Sequence, residues 1–116
     1  MKKYVTVLGT KYEIVRVPFN EMEEGLGGFC DPDIKRIEIV RMDTIDEWKV
    51  ESKEKKKERE NLFLRHEIVH AFLNESGIRD NGGVFDMSWA KNEEMIDWFA
   101  IQGEKIYRAW KEAEAL

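Results

Sequence analysis

The sequence is poor in cysteine, because Cys30 is the single cysteine among 116 residues. A lone cysteine cannot close a disulfide within the chain, which is typical of proteins from a reducing compartment. The sequence also lacks any apolar run near the roughly 20 residues that a membrane-spanning helix needs. Lys2 and Lys3 lead into an alternating segment that Gly9 ends, rather than into the apolar stretch of a secretory signal. We therefore expect a cytoplasmic protein with no membrane partner.

An excess of positive charge is absent as well. The formal net charge is −5 and the isoelectric point is near 5.2, whereas nucleic-acid binders rely on clustered basic charge to displace counterions from phosphates. The one basic cluster, residues 53–59, mixes lysine and arginine with glutamate, a pattern typical of a solvated helix face. The sequence thus predicts no nucleic-acid partner.

Apolar and aromatic residues are present in the amounts that a folded core requires. Apolar residues make up 42% of the chain, with four Trp, six Phe and three Tyr, far from the composition of disordered chains. A chain of 116 residues has room for one core rather than two. We expect residues 1–116 to form a single domain.

Strand-like patterns fill the first third of the chain. Residues 4–8 and 12–17 are rich in Val, Ile and Tyr and are separated by Gly9-Thr10-Lys11, which predicts a hairpin. Residues 20–33 hold three glycines and Pro32 and predict a loop, while the alternation over residues 36–41 predicts a third strand. Together these segments predict a small, mostly antiparallel sheet of about three strands.

The rest of the chain has helical character. Residues 46–76 predict a long helix that is broken near its start, with Gly77 in the position of a C-cap glycine. Residues 78–87 predict a loop, and Ser88 is the expected N-cap of a second helix that runs to the C-terminus. The expected fold class is α+β.

The long helix contains the sequence His66-Glu67-Ile68-Val69-His70. Residues four apart on a helix lie one turn above each other, so His66 and His70 can give two imidazole nitrogens to one metal ion. Glu67 is rotated by about 100° from His66, which leaves it beside the metal and able to take a proton from a bound water. The ligand types favour zinc, and the pattern predicts a hydrolytic zinc site.

Both histidines of the protein lie in this motif, so a third protein ligand must be of another type. Catalytic zinc typically has three protein ligands and one open position, and a carboxylate is the natural third ligand here. The carboxylates that follow the motif are Glu75, Asp80, Asp86, Glu93, Glu94 and Asp97.

Helix geometry ranks these carboxylates. Glu75 lies about 140° around the helix from His70 and points away, whereas the two acids of the predicted loop could reach the site from any direction. Glu93 opens the second helix and Asp97 follows on the same face, so the pair suits a ligand plus a carboxylate that hydrogen-bonds a ligating imidazole. Glu94 is turned about 100° off that face, expected to be solvated, and the weaker candidate.

The His66-to-His70 motif, followed by Asn92-Glu93 and Asp97, resembles the gluzincins, the thermolysin-type metallopeptidases. The spacing and chain length are similar to those of the minigluzincins, single-domain members of about this size, and the layout is similar to small phage and prophage proteins. The resemblance implies a zincin-like fold and a peptide or protein substrate along an exposed sheet edge. It also implies that His66, His70 and Glu93 are the zinc ligands and that Glu67 is the general base. Asp97 would be the carboxylate that hydrogen-bonds a ligating imidazole.

The sequence departs from the larger gluzincins at one place. Those enzymes stabilise the oxyanion with a Tyr or a further His, and this chain has no third His. The remaining side-chain donors are Tyr107, Arg65 and Arg79, with backbone amides as the alternative. Because loss of such a donor costs about 10² to 10³ in rate, we expect a slow or highly selective peptidase.

Three other residues each have two interpretations. Cys30 could cap the zinc in a latent form through its thiolate, although a small packed residue beside a turn is commoner. Trp89 and Trp98 could line a substrate pocket, although aromatic residues at helical spacing usually belong to the core. We expect packing roles for all three.

The predicted function is that of a zinc-dependent metallopeptidase in which Glu67 activates water and passes the proton to the leaving amine. One alternative is a zinc-stabilised binding or assembly protein, which would have no use for an acid at position 67 and would close the zinc with four protein ligands. Another is an amidase or deacylase of small molecules, which would keep these residues and differ in its pocket. The sequence defines no oligomeric state.

Overall fold

In a computed structural model of the protein, residues 2–23, 27–76, 92–114 and 116 are described. Within them, four strands precede two helices, and short 3-10 turns lie at Phe19–Glu21, Met42–Thr44 and Asp46–Trp48. The α+β class expected from the sequence is confirmed. The strands and helices are β1 Lys3–Val7, β2 Thr10–Val17, β3 Gly28–Asp31, β4 Arg36–Val40, α1 Lys53–Glu75 and α2 Glu93–Glu112.

The described strands form one mixed sheet in the order β1-β2-β4-β3. β1 and β2 are the expected hairpin, closed by Leu8 and Gly9, whose positive φ angles of 48° and 84° are those of a mirror-image two-residue turn. β2 and β4 pair in parallel, and β4 and β3 pair antiparallel. The sheet is therefore mostly antiparallel, as expected, with its one parallel pair in the middle.

The sheet has four strands where the sequence predicts about three. The additional strand, β3, lies inside residues 20–33, and the prediction of a loop there is wrong over residues 28–31. β3 pairs with β4 from Gly28 opposite Ile39 onward, and Asp31 closes the following turn by accepting hydrogen bonds from the backbone N–H groups of Asp33 and Ile34. The strand is only four residues long and has turn-forming residues at both ends, so its sequence predicts a loop.

α1 covers one face of the sheet. A fully buried cluster joins the helix to β1, β2 and β4, and each Val or Ile side chain buried in this way contributes about 1.5–3 kcal/mol. Its members are Val7, Tyr12, Ile37, Ile39 and Ala71. A second cluster extends the core toward the 3-10 turns and consists of Val17, Met22, Val40 and Met42.

α1 begins at a clear N-cap. Ser52 accepts a hydrogen bond from the backbone N–H of Lys55, and the separate 3-10 turn Asp46–Trp48 precedes it. The expected break near the start of the long helix is thus confirmed. Ser76 is the C-cap, and Gly77 lies outside the described residues.

Two carboxylates tie α1 to the sheet and its connections. Glu60 accepts hydrogen bonds from the Arg16 guanidinium at 3.0 Å and from the backbone N–H of Met42 at 2.9 Å. Near the other end of the helix, about 22 Å away at 1.5 Å per residue, Glu75 accepts hydrogen bonds from three side chains. These are the Thr10 hydroxyl at 2.9 Å, the Tyr12 hydroxyl at 2.6 Å and the Lys35 ammonium at 2.8 Å.

α2 starts later than the sequence predicts. Asn92 is its N-cap and accepts a hydrogen bond from the backbone N–H of Met95, so Glu93 is the first helical residue. The prediction of Ser88 as the cap is wrong for this helix. Ser88 itself and the predicted loop over residues 78–87 lie outside the described residues.

α2 packs on α1 and buries Ile96 and Ala100. Arg65 on α1 adds a hydrogen bond between the helices, from its Nε to the backbone oxygen of Ala100 at 2.8 Å. The first turns of α2 consequently lie opposite the middle of α1. Neither described helix combines the length and hydropathy needed to cross a bilayer.

Candidate metal centre

His66 and His70 lie one turn apart on α1 and project from the same face. Their ring centroids are 4.9 Å apart, with the ring planes inclined by 58°. Both side chains are largely buried. The spacing of four residues on a regular helix therefore brings two imidazoles together, as the motif predicts.

Glu93 faces both imidazoles from the first turn of α2. Its Oε2 lies 3.0 Å from Nε2 of His66, and its Oε1 lies 2.9 Å from Nε2 of His70. The carboxylate thus bridges the two histidines, although its side chain is 64% exposed. The carboxylate of Glu93 on α2 therefore lies close to two ring nitrogens on α1.

Asp97 holds the far side of the His66 ring. Its Oδ1 lies 2.7 Å from Nδ1 of His66, one helical turn after Glu93. A carboxylate that accepts from Nδ1–H fixes the ring orientation and leaves Nε2 to face Glu93. This is the arrangement commonly found behind metal-binding histidines.

Glu67 lies beside this group and is only 7% exposed. Its Oε2 is 3.9 Å from Nε2 of His66, which is beyond hydrogen-bond distance. The pKa of Glu67 is raised from 4.5 to about 7: burial is the main cause, His66 opposes it, and the negative charges of Glu93 and Asp97 add to the rise. The carboxyl group can therefore change its protonation state near neutral pH.

Gly28 on the edge strand β3 leaves space for Glu67. A Cβ atom at this position would lie 3.0 Å from both Cγ and Oε2 of Glu67 and 3.2 Å from the backbone oxygen of Glu38. Sequence reasoning did not identify this contact. The adjacent pair Gly27-Gly28 was its signal, because glycine is typical where a backbone passes close to another group.

The donor atoms at this site suit zinc. One ligand atom each from His66, Glu67 and His70 lie within 4.8 Å of one another. Two donors on a tetrahedral zinc lie about 3.3 Å apart, given bond lengths near 2.0–2.1 Å, and the nitrogen–oxygen distances of 3.0 and 2.9 Å to Glu93 are a few tenths of an ångström shorter. Two imidazole nitrogens and one carboxylate are also a donor set that catalytic zinc uses.

Of the other carboxylates considered from the sequence, Glu75 and Glu94 are described, and neither joins the group. Glu75 points away from the histidines, as expected from its position on the helix, and is bound to the sheet. Glu94 is exposed. Asp80 and Asp86 lie outside the described residues.

Two of the three side chains considered as oxyanion donors, Arg65 and Tyr107, are described. Arg65 directs its Nε to the backbone of α2 rather than toward the histidines. Tyr107 is 53% exposed, and Arg79 lies outside the described residues.

Trp98 is also 53% exposed, so the expectation that it belongs to the core is wrong. Trp89 lies outside the described residues.

Cys30 lies on β3 and packs against the buried cluster beneath α1. Burial raises the pKa of its thiol to about 12, and the nearby Glu67 carboxylate adds to this shift. A thiol with so high a pKa stays protonated and behaves as a small apolar residue. In the metal-free protein Cys30 therefore packs as a small apolar residue, which agrees with the packing interpretation.

No protein-family model, curated protein or solved structure matches this chain. The resemblance to gluzincins therefore depends on the motif residues, their spacing and the length of the chain.

Proposed function

We propose that this protein is a zinc-dependent metallopeptidase, similar to the minigluzincins, that hydrolyses peptide bonds with Glu67 as its general base. The observation that supports the proposal is the convergence of His66, His70 and Glu93, from two different helices, beside a buried glutamate. Each carboxylate oxygen of Glu93 faces a different imidazole, at 3.0 and 2.9 Å. In this proposal His66, His70 and Glu93 hold the metal.

A zinc ion held there would act as a Lewis acid, acidifying a water molecule and polarising a substrate carbonyl. The residues of the chain supply the remaining chemistry. Glu67 takes the proton of the attacking water and delivers it to the leaving amine. Asp97 keeps the His66 ring in one orientation through the hydrogen bond to Nδ1.

The acid at position 67 favours catalysis over a purely structural zinc site. A structural zinc is normally closed by four protein ligands, and such a site gains nothing from a buried carboxyl group that stands 3.9 Å from a histidine nitrogen. An amidase or deacylase of small molecules would use the same residues. It is therefore one of the outcomes of the test below.

The proposed substrate is a peptide or protein, and the proposed location is the cytoplasm. The location is supported by the single thiol of Cys30, which has no second cysteine to pair with in this chain. No nucleic-acid partner is proposed, because the net charge is −5.

The test combines metal analysis with a cleavage assay. We expect the purified protein to bind about one zinc ion and to cleave members of a peptide library. Glu67→Gln should retain the zinc while cleavage falls by about 10² to 10⁴. Glu94→Gln is the matched control, since it removes an exposed carboxylate close to the site without changing any of the contacts described.

Two results would contradict the proposal. Zinc-loaded wild-type protein that cleaves no peptide under any condition would favour the zinc-stabilised binding protein. Cleavage of small amides without cleavage of peptides would favour the amidase.

A further inference from the structure

The register of α2 against α1 decides whether a metal site exists. His66 and His70 belong to α1, whereas Glu93 and Asp97 belong to α2. A helix rises 1.5 Å per residue, so a displacement of α2 by even one residue would remove Glu93 from the two nitrogens that it now faces. Something must therefore hold this register.

Three polar contacts between the helices involve the site residues themselves. They are the two approaches of Glu93 to the imidazoles and the hydrogen bond between Asp97 and His66. Glu93 and Asp97 are well exposed. Contacts made by exposed carboxylates hold a helix register weakly, because water competes for the carboxylate.

Arg65 makes a contact of a different kind. Its Nε donates at 2.8 Å to the backbone oxygen of Ala100, a residue that is 1% exposed. The acceptor belongs to the helix backbone, so it cannot swing away by rotating a side chain. Ala100 follows Asp97 by about one turn on α2, while Arg65 immediately precedes His66 on α1. The contact therefore ties the backbone of α2 to a side chain of α1 that is adjacent in sequence to His66.

We propose that Arg65 is a positioning residue that holds α2 in the register at which Glu93 and Asp97 meet the histidines. Its effect on zinc affinity depends on the proposed function, whereas its effect on the helix register does not. This role explains why Glu93 and Asp97 lie opposite the two histidines. It also distinguishes Arg65 from a donor that would contact the substrate.

The first experiment requires no metal. In the metal-free protein, the Nδ1–H of the largely buried His66 should give an observable proton resonance because it is hydrogen-bonded to Asp97. Arg65→Gln should abolish this resonance, and Arg65→Lys, which keeps the charge and the apolar stem, should partly preserve it. Arg108→Gln is the control, because it removes an equal charge from an exposed position on α2.

The second experiment measures zinc affinity by competition with a chromophoric chelator. Electrostatics alone predicts that loss of a positive charge beside a dication site strengthens zinc binding. Positioning predicts the reverse, a weakening of about 10- to 100-fold in Arg65→Gln, the range typical for groups that orient metal ligands. Arg108→Gln should leave the affinity unchanged or slightly increased.

A double-mutant cycle separates positioning from a general loss of stability. In a Glu93→Ala background the register of α2 no longer delivers that ligand, so Arg65→Gln should cost much less zinc affinity than in the wild type. Additive losses, or a His66 resonance that survives in Arg65→Gln, would overturn the proposal. Peptide cleavage does not enter these readouts, so a protein without peptidase activity still tests the role of Arg65.

Discussion

Glu67 and Glu75 lie about two turns apart on the same helix, yet their carboxyl groups have opposite properties. The pKa of Glu75 is lowered from 4.5 to about 2 by hydrogen bonds from Lys35, Tyr12 and Thr10. The pKa of Glu67 is raised from 4.5 to about 7, chiefly by burial. The partners that a carboxylate finds determine whether it anchors a helix or can exchange a proton.

The strands opposite the two glutamates explain the difference. Glu75 faces the β1–β2 hairpin and the turn before β4, which present two hydroxyls and an ammonium group. Glu67 faces Gly28 on β3, which has no side chain to donate a hydrogen bond. One helix thus carries an acid with three hydrogen-bond donors at its C-terminal end and a buried acid near its middle.

The largest expected effect is on the rate of peptide cleavage, which should depend on Glu67 and not on Glu75. Glu67→Gln should lower kcat for a cleaved peptide by about 10² to 10⁴, while Glu75→Gln should leave kcat nearly unchanged because Glu75 points away from the histidines. Stability should show the reverse order, since Glu75→Gln weakens hydrogen bonds to a charged group worth about 1.5–3 kcal/mol. Steady-state kinetics and urea denaturation of both variants test this, and equal losses of kcat would end the distinction.

The second prediction compares the two acids at the start of α2. Glu93→Ala should lower zinc affinity by more than about 100-fold, beyond the range typical for groups that only orient ligands. Glu94→Ala should have little effect, because Glu94 is exposed and makes none of the contacts described. Chelator competition on the two variants provides the measurement. The opposite ranking would remove Glu93 from the set of ligands.

The third prediction uses pH to compare the two glutamates in the metal-free protein. Glu67 has a raised folded-state pKa, so its stabilising contribution is present below pH 4.5 and is lost as the pH rises to about 7. This loss amounts to roughly 3 kcal/mol at about 1.4 kcal/mol for each pH unit. Glu75 has a lowered pKa, so its contribution is present above pH 4.5 and is lost as the pH falls to about 2.

Urea denaturation across this pH range, in the presence of a chelator, tests both signs. Glu67→Gln should flatten the profile between pH 4.5 and 7, and Glu75→Gln should flatten it between pH 2 and 4.5. Zinc should suppress the upper change, because a nearby cation favours the ionised form of Glu67. A wild-type profile that is flat between pH 4.5 and 7 would contradict the raised pKa.

The smallest expected effect concerns the space beside Glu67. Gly28→Ala should destabilise the protein by about 1–3 kcal/mol through overpacking against Glu67 and the backbone of Glu38. Gly103→Ala is the matched control within α2, where nothing lies within 4 Å of the added Cβ, and it should stabilise by about 0.4–1 kcal/mol. Thermal unfolding of the two variants gives both values. If Gly28→Ala does not lower the stability, β3 must be able to move away from Glu67.

Local patterns were sufficient for the first hairpin, α1 and the histidine pair. In each of these, neighbours a few positions apart in sequence are also neighbours in space. The direction of Glu75 also followed from helix geometry alone. β3 was missed because Gly28 and Asp31 look like turn residues until pairing with β4 gives them a place in the ladder.

Contacts between elements could not be predicted in the same way. Ser88 and Asn92 are both good capping residues, and sequence alone did not select Asn92. The bond from Arg65 to Ala100 depends on the separation and rotation of two helices, which no local pattern encodes. The packing of Cys30 likewise required knowledge that β3 runs beneath α1.

The two ties at Glu60 and Glu75 also affect how the site would acquire a metal ion. They hold α1 against the sheet on both sides of His66 and His70, so these two ligands lose little freedom when they bind. The conformational entropy lost on metal uptake then falls mainly on α2 and the Glu93 side chain. Metal affinity should accordingly depend on how well α2 is preorganised against α1, which the ties at Glu60 and Glu75 hold against the sheet.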